Sequence, residues 1–254
     1  MKFSKKIVLV MITCLSIISI IGYFLAEDTA APTASEKVKQ QPTPTENSLD
    51  SEKSIVLDVP LENQFEDDPL ENGCEVTALS MLLKFYGYDT DKNQLADELT
   101  YVPFTTESDN YGNPHEGFVG DIEAGELAMG VAVEPIAQLA KRYVADSYQV
   151  VAGDGKYSFD ELLRQVQNGK PVWIVATVDL QVSTEEDFED WPTDEGLLSV
   201  TPLVHSVVLT GYDPATNEVF VNDPYGIKNR SVAYDELVDI YQQLGQQSLY
   251  LDKL

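Results

Sequence analysis

Four side chains in this 254-residue chain are of the types that acyl transfer requires: Gln64, Cys74, His205 and Asp223. Cys74 stands in "NGCEVTALSMLLKFYG", directly after Gly73 and directly before apolar residues at helical spacing, Val76, Leu79, Leu82, Leu83 and Tyr86, with Gly87 as a stop. A thiol at a helix start meets unpaired N–H groups and the positive end of the helix dipole, which favour the nucleophilic thiolate. Position alone does not separate this from a buried cysteine behaving as a small hydrophobe. The other cysteine, Cys14, lies in an N-terminal apolar run, so Cys74 has no partner in the remainder of the chain.

A cysteine nucleophile needs a base, and the chain has two histidines. His115 sits in "GNPHEG", a glycine and proline context that points to a loop residue at a rim. His205 sits in "LVHSVVLTGYD", where strand alternation puts it on one face with Val207 and Leu209. The next β-rich run, "NEVFVNDP", reads as the second arm of a hairpin turning near Ala215, which brings Asp223 diagonally within reach of His205. A carboxylate there fixes the imidazole tautomer; Asn222 falls on the opposite face. The backbone N–H of Cys74 and the side chain of Gln64, in "PLENQF", are candidate donors to an oxyanion.

The elements that must position these residues are legible around them. A short strand covers Ile55–Val59, and a second helix starts near Asp91. Tyr101–Gly125 is long, glycine-rich and without period, the mark of a functional or mobile loop. A helix over Val133–Tyr143 and a strand over Tyr148–Val151 follow. Ser158 and Glu161 have capping-box spacing ahead of Leu162, Leu163 and Val166. "PVWIVATVDL" is apolar enough for the interior of a sheet, and a helix over Tyr234–Leu244 and a strand "SLYL" end the chain. Helices lead and an antiparallel sheet follows, an α+β order.

Composition narrows the function. A formal charge of −27 argues against nucleic acid, whose binding rests on cationic contacts. No phosphate loop or dinucleotide glycine pattern occurs, and one soluble cysteine with two histidines is a thin metal-ligand set. No cofactor is expected. The acidic stretch Ser183–Gly196 lacks the spacing of a calcium loop and reads as solvated surface. Lys2, Lys5 and Lys6 precede an uncharged run from Ile7 to Ala26, long enough to span a bilayer and poor in cleavage points. An uncleaved anchor over 1–26 is expected ahead of a cleaved signal, with the lysines inside and the rest outside the cell. Residues 27–54, rich in Pro, Thr, Ser, Glu and Lys, read as a disordered linker. Residues 55–254 fit one domain of about 200 residues.

Gln64, Cys74, His205 and Asp223, in that order, are also where a family resemblance enters. With "VPLENQ", "NGCEVTALSMLLKFYG", "GFVGD", "NGKPVWIVATVDL", "HSVVLTGYD", "VNDPYG" and "YQQLGQQSLYL", the chain resembles the bacteriocin-processing, double-glycine type of cysteine peptidase, specifically its stand-alone bacterial relatives. The resemblance runs from about Leu57 to Leu251. It implies a papain-like fold, with a helix bearing Cys74 packed on an antiparallel sheet bearing His205 and Asp223. It also implies Cys74 as nucleophile, His205 as base, Asp223 as orienting acid and Gln64 as oxyanion donor. The family's best-known members are fused to a transporter with a nucleotide-binding domain, which this chain lacks, so cleavage after a double glycine during export is not carried over. The expected partner is a peptide or protein at the cell surface, met by a monomer. The alternatives are a cell-wall peptide as substrate, or a non-catalytic surface domain keeping the fold. Specificity is expected to reside in Tyr101–Gly125 and Ser183–Gly196.

Overall fold

Alternation along one strand decides how the protein is layered. In the computed structural model, which describes residues 53–125 and 127–254, every side chain of "VWIVAT" is buried. Trp173 and Val175 face one apolar cluster, and Val172, Ile174 and Ala176 face another. A strand apolar on both faces needs cover on both, and helices supply it.

In chain order the elements are β1 (Ile55–Val56), α1 (Cys74–Phe85), α2 (Lys92–Glu98), β2 (Tyr101–Val102), β3 (Phe118–Gly120), β4 (Ala128–Gly130), α3 (Val133–Val144), β5 (Tyr148–Gly153), α4 (Phe159–Gln167), β6 (Val172–Thr177), β7 (Glu189–Thr193), β8 (Gly196–Val200), β9 (Val204–Asp213), β10 (Glu218–Asp223), β11 (Ile227–Ala233), α5 (Tyr234–Gln243) and β12 (Ser248–Lys253). The main sheet runs β11-β10-β9-β6-β12-β5, wholly antiparallel. β9 is its spine: β6 pairs with Val204–Leu209, and β1 then pairs with Gly211 and Tyr212. α1, α2 and α3 cover one face, and α4 and α5 the other.

α1 is buried through all residues from Cys74 to Leu83, as befits a helix held between the sheet and other helices. α4 and α5 bury single stripes, Phe159, Leu162, Leu163 and Val166 in one and Leu237, Ile240 and Tyr241 in the other. The capping box at the start of α4 is present, with Ser158 accepting from the Glu161 N–H and the Glu161 carboxylate accepting from the Ser158 N–H. The α+β arrangement read from the sequence, a cysteine-bearing helix packed on an antiparallel sheet bearing His205 and Asp223, is the one observed.

Two segments differ from their expectation. Tyr101–Gly125 contributes β2 and β3, which with β4 make a small three-stranded sheet. The acidic stretch forms part of a second hairpin, β7–β8, and the two dock through Trp191. Trp191 stacks on Tyr111 with ring centroids 4.0 Å apart, and its indole N–H donates to Gly112 O at 2.9 Å. The acidic residues around Trp191 hide an apolar anchor, so this is more than solvated surface.

The expected placement as a membrane-anchored domain outside the cell is corrected: no helix among the described residues is long and apolar enough to cross a membrane. The run Ile7–Ala26 that carried that expectation, and the linker up to residue 52, lie outside the described residues.

Candidate active site

The β9–β10 pairing sets the geometry. Asn222 lies opposite Val208, and a register shift between Phe220 and Val221 brings the end of β10 back toward the start of β9. His205 Nε2 and Asp223 Oδ1 are thereby 2.9 Å apart, on side chains only 1% and 0% exposed. Asn222 turns the other way, donating to Val59 O and accepting from the Asn229 N–H. Asp223 is braced further by the Tyr225 N–H on Oδ1 and by Arg230 Nη1 on Oδ2, at 3.0 and 2.9 Å. Arg230 is itself held by Asp179 O. Burial alone would raise the Asp223 carboxyl, but His205, the Tyr225 N–H and Arg230 outweigh it and hold the group below its ordinary range. An ionised carboxylate only accepts, so Nε2 carries a proton, and the tautomer that leaves a lone pair on the ring leaves it on Nδ1.

Cys74 is the first residue of α1, and Gly73 ahead of it has a packing reason to be glycine. A Cβ there would lie 2.5 Å from Leu70 Cβ. The Cys74 thiol is buried, 7% exposed, and the backbone N–H of Ser206, the residue after His205, pulls its pKa down. α1 and β9 thus meet at the site. The thiol donates to Glu75 Oε2 at 3.3 Å.

Glu75 was not singled out in the sequence, where it reads as an ordinary acid in a helix's first turn. It is 1% exposed, accepts from the Val131 N–H at 3.0 Å, and its backbone O accepts from the Trp173 indole at 3.1 Å. Gly130 makes room for it: φ is +86°, and a Cβ would stand 2.3 Å from Glu75 Oε1. Burial pushes the Glu75 carboxyl up, against its hydrogen bonds and the nearby His205. Burial and then the Glu75 charge push the Cys74 thiol well up, and the Ser206 and Cys74 N–H groups pull less strongly the other way.

Gln64 sits where the loop before α1 meets the turn after β10, with its N–H on Pro224 O. Both hydrogens of its side-chain amide are engaged, by Leu70 O at 3.1 Å and Glu71 O at 3.0 Å. Donation to an oxyanion therefore requires exchange of one of these carbonyls. Tyr225, also not foreseen, lays its ring 4.8 Å from that of His205 and 5.0 Å from that of Phe65, an aromatic cover over the imidazole. Its hydroxyl is raised by burial first, then by the charges of Cys74, Asp223 and Asp179.

His115 is held more firmly than its glycine-rich context suggests, its N–H on Asn113 Oδ1 and its Nδ1 3.0 Å from Glu134 Oε2. It lines a pocket of about 250 Å³ with Met129, Val131, Val175, Leu198 and Val204. Of these, Val131 donates its N–H to Glu75, and Val204 is the residue before His205.

Comparison with known proteins decides the family. A profile described as "Peptidase_C39 like family" matches residues 56–249. The chain belongs to that family. This C39-like protein is 37% identical over 214 residues to the uncharacterized protein YvpB of Bacillus subtilis strain 168, covering 82% of each chain. It is similar to a crystal structure from Bacillus anthracis assigned as a C39-like peptidase, with TM-score 0.74 and 35% identity over 80% of this chain and 99% of that one. Xylellain, a cysteine protease from Xylella fastidiosa, aligns at TM-score 0.40 and 12% identity over 79% of this chain and 85% of the other, too distant to carry an argument.

Proposed function

We propose that this C39-like protein is a cysteine peptidase that hydrolyses peptide bonds through a thioester acyl-enzyme. Cys74 is the nucleophile, His205 the base, Asp223 the group that orients the imidazole, and Gln64 with the Cys74 N–H the oxyanion donors. The observation that carries this reading is the buried 2.9 Å His205–Asp223 pair, together with a thiol at the first residue of α1. A buried imidazole tied to an ionised carboxylate has one nitrogen free to take a proton.

In the first half-reaction the Cys74 proton passes to His205 Nδ1 as sulfur bonds to the peptide carbonyl carbon. The carbonyl π electrons move onto oxygen, where N–H donors meet the charge. Charge-assisted bonds are stronger than neutral ones, so a Gln64 hydrogen shared with Leu70 O gains by turning to the oxyanion. The tetrahedral adduct collapses, the C–N bond breaks, and the amine leaves with the proton from His205. Water then gives a proton to His205 as its oxygen attacks the thioester. Loss of the thiolate, reprotonated by His205, releases the acid. Asp223 and Arg230 keep the ring's orientation through both halves.

Glu75 opposes the first step while charged, because a carboxylate touching the sulfur disfavours the thiolate. Once protonated it donates to sulfur instead of accepting from it.

The test is product mapping by mass spectrometry on a diverse peptide library. The wild type is expected to cleave, and Cys74→Ala and His205→Ala to abolish cleavage. Cleavage by Cys74→Ala at the wild-type rate, or none by the wild type across the library, would refute the assignment.

A further inference from the structure

Away from the thiol, three side chains from separate elements converge: His115 from the loop before β3, Glu134 from the first turn of α3 and Asp154 from the turn after β5. One ligand atom from each lies within 4.8 Å of the other two. His115 Nδ1 and Glu134 Oε2 are already 3.0 Å apart. Asp154 has no hydrogen-bond partner among the described residues. Burial and the nearby Glu134 charge raise its carboxyl, with His115 pulling the other way. Two carboxylates are thus held beside one imidazole, and neither forms an ion pair with a lysine or arginine among the described residues.

We propose that His115, Glu134 and Asp154 form a site for a divalent transition cation of the zinc type, separate from the Cys74 centre. One nitrogen and two carboxylate oxygens are donors that zinc accepts at about 2.0–2.2 Å. Tetrahedral ligands at that radius stand about 3.4 Å from one another. The His115–Glu134 contact is already that close, and the half-exposed Glu134 and exposed Asp154 side chains can rotate to close the remainder. The scarcity of histidines in the sequence concealed the site, because its other ligands are two acids among 43.

Binding exchanges a proton for the metal. The cation bonds a ring nitrogen that carries no proton, so any proton on that nitrogen goes to solvent. Three protein ligands leave coordination positions for water or another oxygen ligand, and His115 and Asp154 both line the same pocket. The bound cation would pin the Asn113–His115 loop to α3 and form one rim of that pocket.

The experiment is zinc titration of the full chain by calorimetry, with cobalt absorption as a second readout. The expected result is one zinc per chain in the wild type and in Cys74→Ser, with affinity at least about tenfold weaker in His115→Ala and Asp154→Asn. Cobalt should give an N/O spectrum without a thiolate charge-transfer band. Thermal melts of the metal-free variants should match the metal-free wild type, and zinc should raise the melting temperature of the wild type and Cys74→Ser only. Loss of binding in Cys74→Ser, a thiolate band, undiminished binding in His115→Ala, or no binding by the wild type would each overturn the site. None of these outcomes depends on peptide hydrolysis.

Discussion

Glu75 is the residue whose chemistry is least expected beside a nucleophile, and it yields the sharpest tests. Glu75→Gln keeps the shape: the amide oxygen can still accept from the Val131 N–H and the amide nitrogen can donate to sulfur. Removing the charge should move the Cys74 alkylation profile toward acid by at least about one pH unit, a tenfold change in thiolate fraction below the pKa. The stability effect has a definite sign. A carboxyl raised by folding contributes stability below its unfolded value, near 4.3, and loses it as pH rises through the folded value. Glu75→Gln should therefore raise the melting temperature at pH 7 and leave it little changed at pH 4, measured by calorimetry. Asp223 has the opposite sign: its carboxyl is lowered, so its contribution is present at neutral pH and is lost as pH falls through the folded value. Asp223→Ala should reduce kcat/KM about a hundredfold. Asp223→Asn should fall less, since a carboxamide oxygen can still accept from Nε2–H. Equal losses in the two would remove the orienting role.

At the scale of elements, what was legible in the sequence was what periodicity writes. α1, α4, α5, β6 and the β9–β10 hairpin all follow from apolar spacing with capping or turn residues. Asp223, however, meets His205 through a register shift between Phe220 and Val221 that the unbulged hairpin expected from the sequence did not contain. What was not legible were elements whose apolar residues are few or whose partners are distant. β11 reads "IKNRSVA", a polar edge strand, and its Arg230 braces Asp223 only because the sheet brings it there. β7 is masked by acids around Trp191, and β4 is three residues long. Burial of Glu75 depends on Gly130, 55 positions along the chain by subtraction of the residue numbers. No local pattern encodes that meeting. The docking of β7–β8 on the Tyr101–Gly125 segment predicts that Trp191→Ala costs about 3–5 kcal/mol of packing. Because Trp191 serves a peripheral cluster, hydrogen exchange should quicken in β2–β4 and β7–β8 and stay slow in β6 and β9. Uniform loosening would contradict that division.

For the whole molecule, the −27 charge sets a field that no single contact describes. It favours approach of cationic peptides over anionic ones, and salt screens it, with a Debye length of about 10 Å at 0.1 M. On the peptidase reading, kcat/KM for a lysine-rich peptide should fall as sodium chloride is raised, while that for a neutral peptide of the same length stays flat. Parallel behaviour of the two would show that the field does not guide the substrate. The fold supplies what that chemistry needs at every level: a helix start for the thiol, a sheet spine for the imidazole, and a neighbouring strand for the carboxylate.

The most direct test of the central claim is the rate of Cys74 alkylation by iodoacetamide against pH, assigned by peptide mass, in the wild type, His205→Ala and Glu75→Gln. Three separate rates are expected at pH 7, with His205→Ala at least about tenfold slower than the wild type and Glu75→Gln at least about tenfold faster. Three superimposed profiles that rise together near the free-thiol value of about 8.5 would contradict it.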